Sequence, residues 1–191
     1  MIPVCVPWLP GNEVKYATDA LQTGWISGEG DYIKRFEESF ASYIRMKYGV
    51  ACCNGSTALH MACVALDLKK GDEVIVTTFT NIASINGIIL TGATPVLVDV
   101  DRETWNIDVG KIEENITKRT KAIMAVHIFG NSCNMDPIME LAKKHNLKII
   151  EDVAEAHGAE YKGKKVGSFG DISCFSFNGN KVVTTGGGGM V

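Results

Sequence analysis

Lys181 sits where an amine could do covalent chemistry. It ends the segment Gly170-Asp-Ile-Ser-Cys-Phe-Ser-Phe-Asn-Gly-Asn-Lys181, a run of β-formers that reaches the turn pair Asn178-Gly179, and a glycine-rich stretch follows at 186–189. A lysine just past a strand end, with little other positive charge nearby, suits Schiff-base formation, in which a neutral amine attacks a carbonyl. A solvated lysine beside a flexible hairpin is the competing reading. Ser176, near the end of the same strand, could donate to a phosphate. A second segment, Ile149-Ile-Glu-Asp-Val-Ala-Glu-Ala-His-Gly158, ends an apolar strand in two adjacent carboxylates that point to opposite faces of a sheet. Asp152 falls where a strand delivers a residue to a ligand crevice and could hold a protonated ring nitrogen, as a pyridinium cofactor requires. Either carboxylate could instead cap a following helix. His157 reads as a packing or hydrogen-bonding residue. A third segment, Cys53-Asn-Gly-Ser-Thr-Ala58, follows a strand and opens a helix. Free amides at a helix N-terminus, with the helix dipole, bind phosphate, although a Ser or Thr there also serves as an ordinary N-cap.

These segments need a scaffold, and the chain supplies a strand–helix alternation. Candidate strands are 49–53, 73–76, 94–99, 121–127 and 147–152, all nearly continuous apolar runs, as expected for strands covered on both faces. Helical patterns occupy 57–66, 81–90, 108–115 and 136–145, the last with Asp136 as N-cap and Pro137 at the first helical position. The expectation is an α/β fold, a mainly parallel sheet with helices on both faces. Ligands then bind beyond the carboxyl ends of the strands, which singles out the loops 53–58, 77–81, 151–157 and 176–188. No internal repeat and no Ser/Pro-rich linker is visible.

Composition narrows the partners. The 191 residues fit one domain, and 46% hydrophobic with 21% charged residues is an ordinary globular balance. A net charge of −3 without any block of like charge argues against nucleic acid, which demands clustered Lys and Arg. A small anionic substrate stays compatible. The six cysteines form no C-x-x-C pair and sit mostly in apolar stretches, so they read as free thiols in a reducing compartment, with no metal site. The N-terminus lacks the charged and apolar regions of a signal peptide. The apolar run 82–90 is interrupted and too short for a bilayer. A cytoplasmic protein without membrane contact is expected.

Taken together, Asn54-Gly-Ser-Thr-Ala-Leu59, Gly92-Ala-Thr-Pro-Val-Leu-Val-Asp99, Glu151-Asp152-x-Ala-Glu-Ala-His-Gly158 and Phe175-Ser-Phe-Asn-Gly-Asn-Lys181-x-x-Thr-Thr-Gly186 resemble, in order and spacing, the DegT/DnrJ/EryC1/StrS sugar aminotransferases of the aspartate-aminotransferase fold (fold type I). The resemblance begins at Pro7 and is nearest to the GDP-perosamine synthase branch, through Gly24-Trp-Ile-Ser-Gly28, Asp99-x-Asp101, Thr120-Lys-Ala-Ile-Met124 and Phe177-x-Gly-Asn-Lys181. It implies pyridoxal 5'-phosphate as cofactor. Lys181 would hold it covalently and shuttle the proton to the sugar carbon. Asp152 would pair with the pyridinium nitrogen, and Glu155 would lie near the phenolic oxygen. Ser56 and Thr57 through their amides, and Ser176 through its hydroxyl, would hold the phosphate. Trp25, Ile26 and Ser27 would face the nucleotide sugar. The implied reaction moves an amino group from glutamate to a 4-keto-6-deoxy sugar nucleotide, with GDP-4-keto-6-deoxymannose favoured, in a homodimer whose sites lie across the interface. Related dehydratases carry His where this chain has Lys181, which favours transamination.

Three departures accompany the resemblance. Asn81 stands where the family usually has an aromatic ring that stacks on the cofactor. Gly187 replaces a glutamate, which removes a charge and loosens the backbone. The chain reaches only Val191, so residues 1–191 correspond to the N-terminal part of the PLP-binding large domain, with the small C-terminal domain absent. Apolar surface would then be left uncovered. Two roles follow as alternatives: a catalyst, or a non-catalytic paralogue that associates with a full-length relative.

Overall fold

The computed structural model describes residues 1–3 and 5–191. Helices α1 (Glu13–Thr23) and α2 (Asp31–Ile44) lead into a seven-stranded sheet. Along the chain this sheet takes β1 (Ala51–Cys52), β2 (Glu73–Thr77), β3 (Thr94–Val98), β4 (Thr120–Val126) and β5 (Lys148–Asp152). After a small hairpin, β6 (Glu160–Tyr161) with β7 (Lys164–Lys165), come β8 (Ile172–Ser176) and β9 (Gly189–Met190). The strand order is β1-β9-β8-β5-β4-β2-β3, parallel from β8 through β3, with β9 antiparallel to both its neighbours. The mainly parallel α/β architecture expected from the sequence is the one observed.

The side-chain period of two sorts the apolar runs between two faces. Val74 and Val76, Ala122, Met124 and Val126, and Ile150 pack with α3 (Gly55–Ala65) and α4 (Ile82–Ile89). Their alternates Ile75, Ile123, Ala125 and Ile149 pack with α5 (Met135–His145). Each fully buried aliphatic side chain of this kind contributes roughly 1.5–3 kcal/mol. A third cluster, Ile44, Phe175, Phe177 and Met190 among others, seats α2.

Several boundaries differ from expectation, each for a local reason. The helix expected over 108–115 is two 3-10 turns, Val109–Lys111 and Glu113–Asn115, the first closed by Asp108, whose carboxylate accepts the Gly110 amide at 3.0 Å. Helix α5 begins at Met135 with Asn134, not Asp136, as N-cap; the Asn134 side chain accepts from the Tyr161 hydroxyl, and Asp136 pairs with Lys162. Asn81 caps α4 rather than belonging to it. Helices α1 and α2 and the β6–β7 hairpin were not expected. Helix α1 buries no residue, and Trp8, Leu9, Trp25 and Ile26 are exposed on its flanks. Among the described residues no helix is long and apolar enough to cross a membrane, and no cluster of His, Cys, Asp or Glu could hold a metal ion.

Candidate functional site

The carboxyl ends of the parallel strands converge on one cleft of about 320 Å³, whose wall includes Gly55, Ser56, Asn81, Asp152, Ser176 and Lys181. An offshoot continues past Thr80 and His127 to Glu155.

The floor of the cleft is an anion cup. Asn54, extended at φ −171°, caps α3 by accepting the Thr57 amide on its side chain at 2.8 Å. The amides of Gly55 and Ser56 keep no acceptor among the described residues, so two donors and the positive end of the helix dipole face the cleft. Close approach makes this possible: a Cβ on Gly55 would stand 2.6 Å from the Ser176 Cβ. The Ser176 hydroxyl, buried at the end of β8, therefore lies beside those amides. At the far edge Gly189 is pinned in the same way, since a Cβ there would meet the Asn54 carbonyl oxygen at 2.4 Å.

The two carboxylates of β5 do point to opposite faces, and both are buried. Glu151 accepts the amides of Gly167 at 2.7 Å, Phe169 at 2.7 Å and Gly170 at 2.6 Å. The His127 ring takes the Cys133 amide on Nδ1, so its Nε2 donates to Glu151 at 3.1 Å. Burial raises the Glu151 pKa, but His127 and the amides outweigh it and hold this carboxyl below the usual range. This is a structural knot. Asp152 differs: among the described residues its oxygens accept only the Ser84 hydroxyl, at 2.7 Å, and the Ala154 amide, at 3.1 Å. Burial pushes its pKa up, and the Ser84 and Ala154 donors with the charge on Lys181 pull it only partly back. A buried carboxylate so weakly served calls for a cation in the cleft.

The Lys181 side chain is 14% exposed, and its amine lies 3.3 Å from Glu155 Oε1. The other Glu155 oxygen accepts the amide of Phe129 at 3.2 Å, so one carboxylate links the lysine loop to the loop after β4. Phe129 holds left-handed backbone, φ 48° and ψ 33°, a conformation in which non-glycine residues are strained. His157 packs against the rings of Phe175 and Phe177, with neither ring nitrogen hydrogen-bonded among the described residues; burial pushes its pKa down to about 4. Packing, rather than hydrogen bonding, is its role here.

Gly55, Ser56, Asp152, Glu155, Ser176 and Lys181 are thus brought together. Thr57 is not: its amide is committed to Asn54, and its hydroxyl pairs with the Cys53 thiol at 3.2 Å. Trp25, Ile26 and Ser27 line no part of the cleft; the first two are 55% and 75% exposed in the loop between α1 and α2. Sequence reasoning missed Ser84, the hydroxyl that braces Asp152 and pairs with Thr80 at 2.6 Å. The i, i+4 spacing of Thr80 and Ser84 around a helix start was the available signal. It also missed the Phe129 amide, which no side-chain pattern announces.

Over residues 9–191 the sequence matches the family model of the DegT/DnrJ/EryC1/StrS aminotransferases. The GDP-perosamine synthase of Escherichia coli O157:H7 is 55% identical over 190 residues, covering all of this chain and 52% of that protein. Among solved structures, Spr1654 from Streptococcus pneumoniae in its PLP form superposes with a TM-score of 0.94 at 33% identity, over 99% of this chain and 51% of that one. The Escherichia coli GDP-4-keto-6-deoxy-D-mannose-3-dehydratase with bound hydrated PLP gives 0.93 at 31% identity, over 98% and 50%. The chain therefore spans about half the length of the relatives it matches. With that family match over nearly its whole length, the chain belongs to the DegT/DnrJ/EryC1/StrS aminotransferase family.

Proposed function

We propose that this chain holds pyridoxal 5'-phosphate in the cleft and serves the transfer of an amino group from glutamate to a 4-keto-6-deoxy nucleotide sugar, GDP-4-keto-6-deoxymannose being the favoured acceptor. The observation that carries the reading is the convergence of the Lys181 amine, the under-served Asp152 carboxylate and two free helix amides on one cleft. The residues fit the cofactor's three recognition points: phosphate on the Gly55 and Ser56 amides and the Ser176 hydroxyl, pyridinium nitrogen on Asp152, aldehyde carbon on Lys181. The acceptor branch rests on the likeness to GDP-perosamine synthase.

Bound there, the cofactor supplies an electron sink that lets an amino group leave one carbon and arrive on another. The chain's own residues do the rest. Asp152 keeps its charge against burial by facing a cation, and Ser84 fixes its orientation. Glu155 holds the Lys181 amine over the cleft, where that nitrogen can take up and return a proton. Lysine at 181, where the family resemblance implies histidine in related dehydratases, favours transamination over dehydration. Trp25, Ile26 and Ser27 enter it by meeting substrate in the cleft of a second copy, within a homodimer that also covers the exposed Trp8 and Leu9.

Added pyridoxal phosphate is expected to give a visible absorption band, and borohydride to fix the cofactor's mass on the peptide containing Lys181. Lys181→Arg, which keeps the charge beside Glu155, loses both. Absence of the band, or fixation spread over surface lysines, overturns the reading. A second reading, a non-catalytic partner of a full-length relative, draws on the apolar residues exposed around α1. It is favoured by a stable complex on co-expression together with no fixation at Lys181.

A further inference from the structure

Beside the cleft, two exposed aromatic rings are held in backbone that glycine would adopt more easily. Phe129 is 76% exposed at φ 48°, and Trp105 is 55% exposed at φ 62°. Both lean on Phe79, which is partly buried against the core: the ring centroids are 5.4 Å apart for Trp105 and 6.0 Å for Phe129. The three residues follow the carboxyl ends of β3, β4 and β2, adjacent strands on the crevice side of the sheet. Their loops are laced together. Asn106, 2% exposed, donates to the carbonyls of Asn131 and Ser132 at 3.1 Å and accepts the Ile128 amide at 3.1 Å. Asn131 in turn donates to the Thr104 carbonyl at 3.0 Å. Folding alone gains little from a framework that spends buried polar bonds to present strained, solvent-facing rings.

We propose that Trp105 and Phe129, standing on Phe79 at the rim of the cleft, form a stacking platform for the base of the nucleotide that the substrate carries. The inference rests on the nucleotide-sugar reading above. The sugar carbon that receives the amine must reach Lys181, and a diphosphate and a ribose separate that carbon from the base. The base therefore lies outside the floor of the cleft, on its rim. Glu155 ties the Phe129 loop to Lys181 through its two oxygens, which puts the platform on the edge next to the reacting amine. Stacking on aromatic faces accepts any base, so the platform supplies affinity and leaves the choice of base to other groups.

The test uses GDP and mannose 1-phosphate as probes on the whole chain. Of its three tryptophans, Trp8 and Trp25 stay in place, and the Trp105→Phe chain gives their share of the emission, so that the difference reports Trp105. GDP is expected to quench that emission and mannose 1-phosphate to leave it unchanged. Phe129→Leu is expected to weaken GDP roughly ten-fold or more, and Phe129→Tyr to keep parental affinity. Unchanged emission of the unaltered chain at saturating GDP overturns the proposal without needing any variant. So does parental GDP affinity in a Phe129→Leu chain that melts like its parent. Self-association that Phe129→Leu abolishes, with GDP binding intact, assigns the platform to a second copy and also overturns it. Quenching by GDP with no cofactor fixed on Lys181 leaves the platform standing while the aminotransferase reading fails; the converse pattern does the opposite.

Discussion

Ser84 donates its hydroxyl to Asp152 Oδ2 at 2.7 Å, joining the first turn of α4 to the end of β5 inside the cleft. Ser84 is itself fully buried and paired with Thr80 on its other side, so its geometry is fixed before any ligand arrives. Hydrogen bonds to a charged group contribute about 1.5–3 kcal/mol. Ser84→Ala is therefore expected to weaken pyridoxal phosphate roughly ten-fold or more, read by spectral titration at pH 8, while saturating cofactor still fixes on Lys181. An unchanged dissociation constant would show that Asp152 needs no brace.

Asp152 also makes a prediction about pH. Its folded pKa is raised by burial, so its contribution to stability is present in full below its ordinary value of 3.8 and is lost as pH rises through the folded pKa. Glu151, with its folded pKa lowered, has the opposite slope: its contribution is present above its ordinary 4.5 and is lost as pH falls through the folded value. Both slopes coexist in the parent, but only Asp152 differs in Asp152→Asn. Without ligand, that variant is expected to melt above the parent at pH 8, with the gap closing toward pH 4, and to lose cofactor binding. A variant that melts below the parent at pH 8 refutes the burial argument.

Gly55→Ala should break an ordinary rule. Inside a helix alanine is favoured over glycine by about 1 kcal/mol. Here the added methyl lands 2.6 Å from the Ser176 Cβ and 3.0 Å from its Oγ, so α3 must retreat from β8. The expected outcome is a lower melting temperature together with loss of inorganic phosphate as a competitor for the cofactor site. A stabilised variant that still binds phosphate would mean the cup is wider than the structure shows.

The central strands β2, β4 and β5 were legible because burial on both faces writes them as apolar runs, and the carboxyl ends of the strands pointed to the loops that carry Asp152, Ser176 and Lys181. What the sequence left hidden has physical reasons. Helix α1 buries nothing, so no core-facing stripe marks it. Thr57 was misplaced because α3 starts earlier than expected and Asn54 takes its amide. Ser84 carries a local signal, but the residue it serves is 68 positions away, and the β2–β3 crossover that lays α4 over the sheet brings them together. The strain at Phe129 and Trp105 belongs to backbone geometry, which side-chain patterns do not encode.

Asn81 should separate helix stability from cofactor grip. Its side chain accepts the Ala83 amide at 3.0 Å as the cap of α4, and it also lines the cleft, where no Phe, Tyr or Trp does so among the described residues. Replacing an Asn cap costs about 0.5–2 kcal/mol. A ring at the same place would gain stacking area on a planar cofactor, about 0.5–1.5 kcal/mol beyond simple burial. Asn81→Tyr is therefore expected to lower the melting temperature of the ligand-free chain while tightening pyridoxal phosphate roughly two- to ten-fold. The two effects have opposite signs, so a global loss of structure cannot mimic them. If affinity falls along with stability, the Asn81 amide itself grips the cofactor, and the missing ring was never the weakness of this cleft.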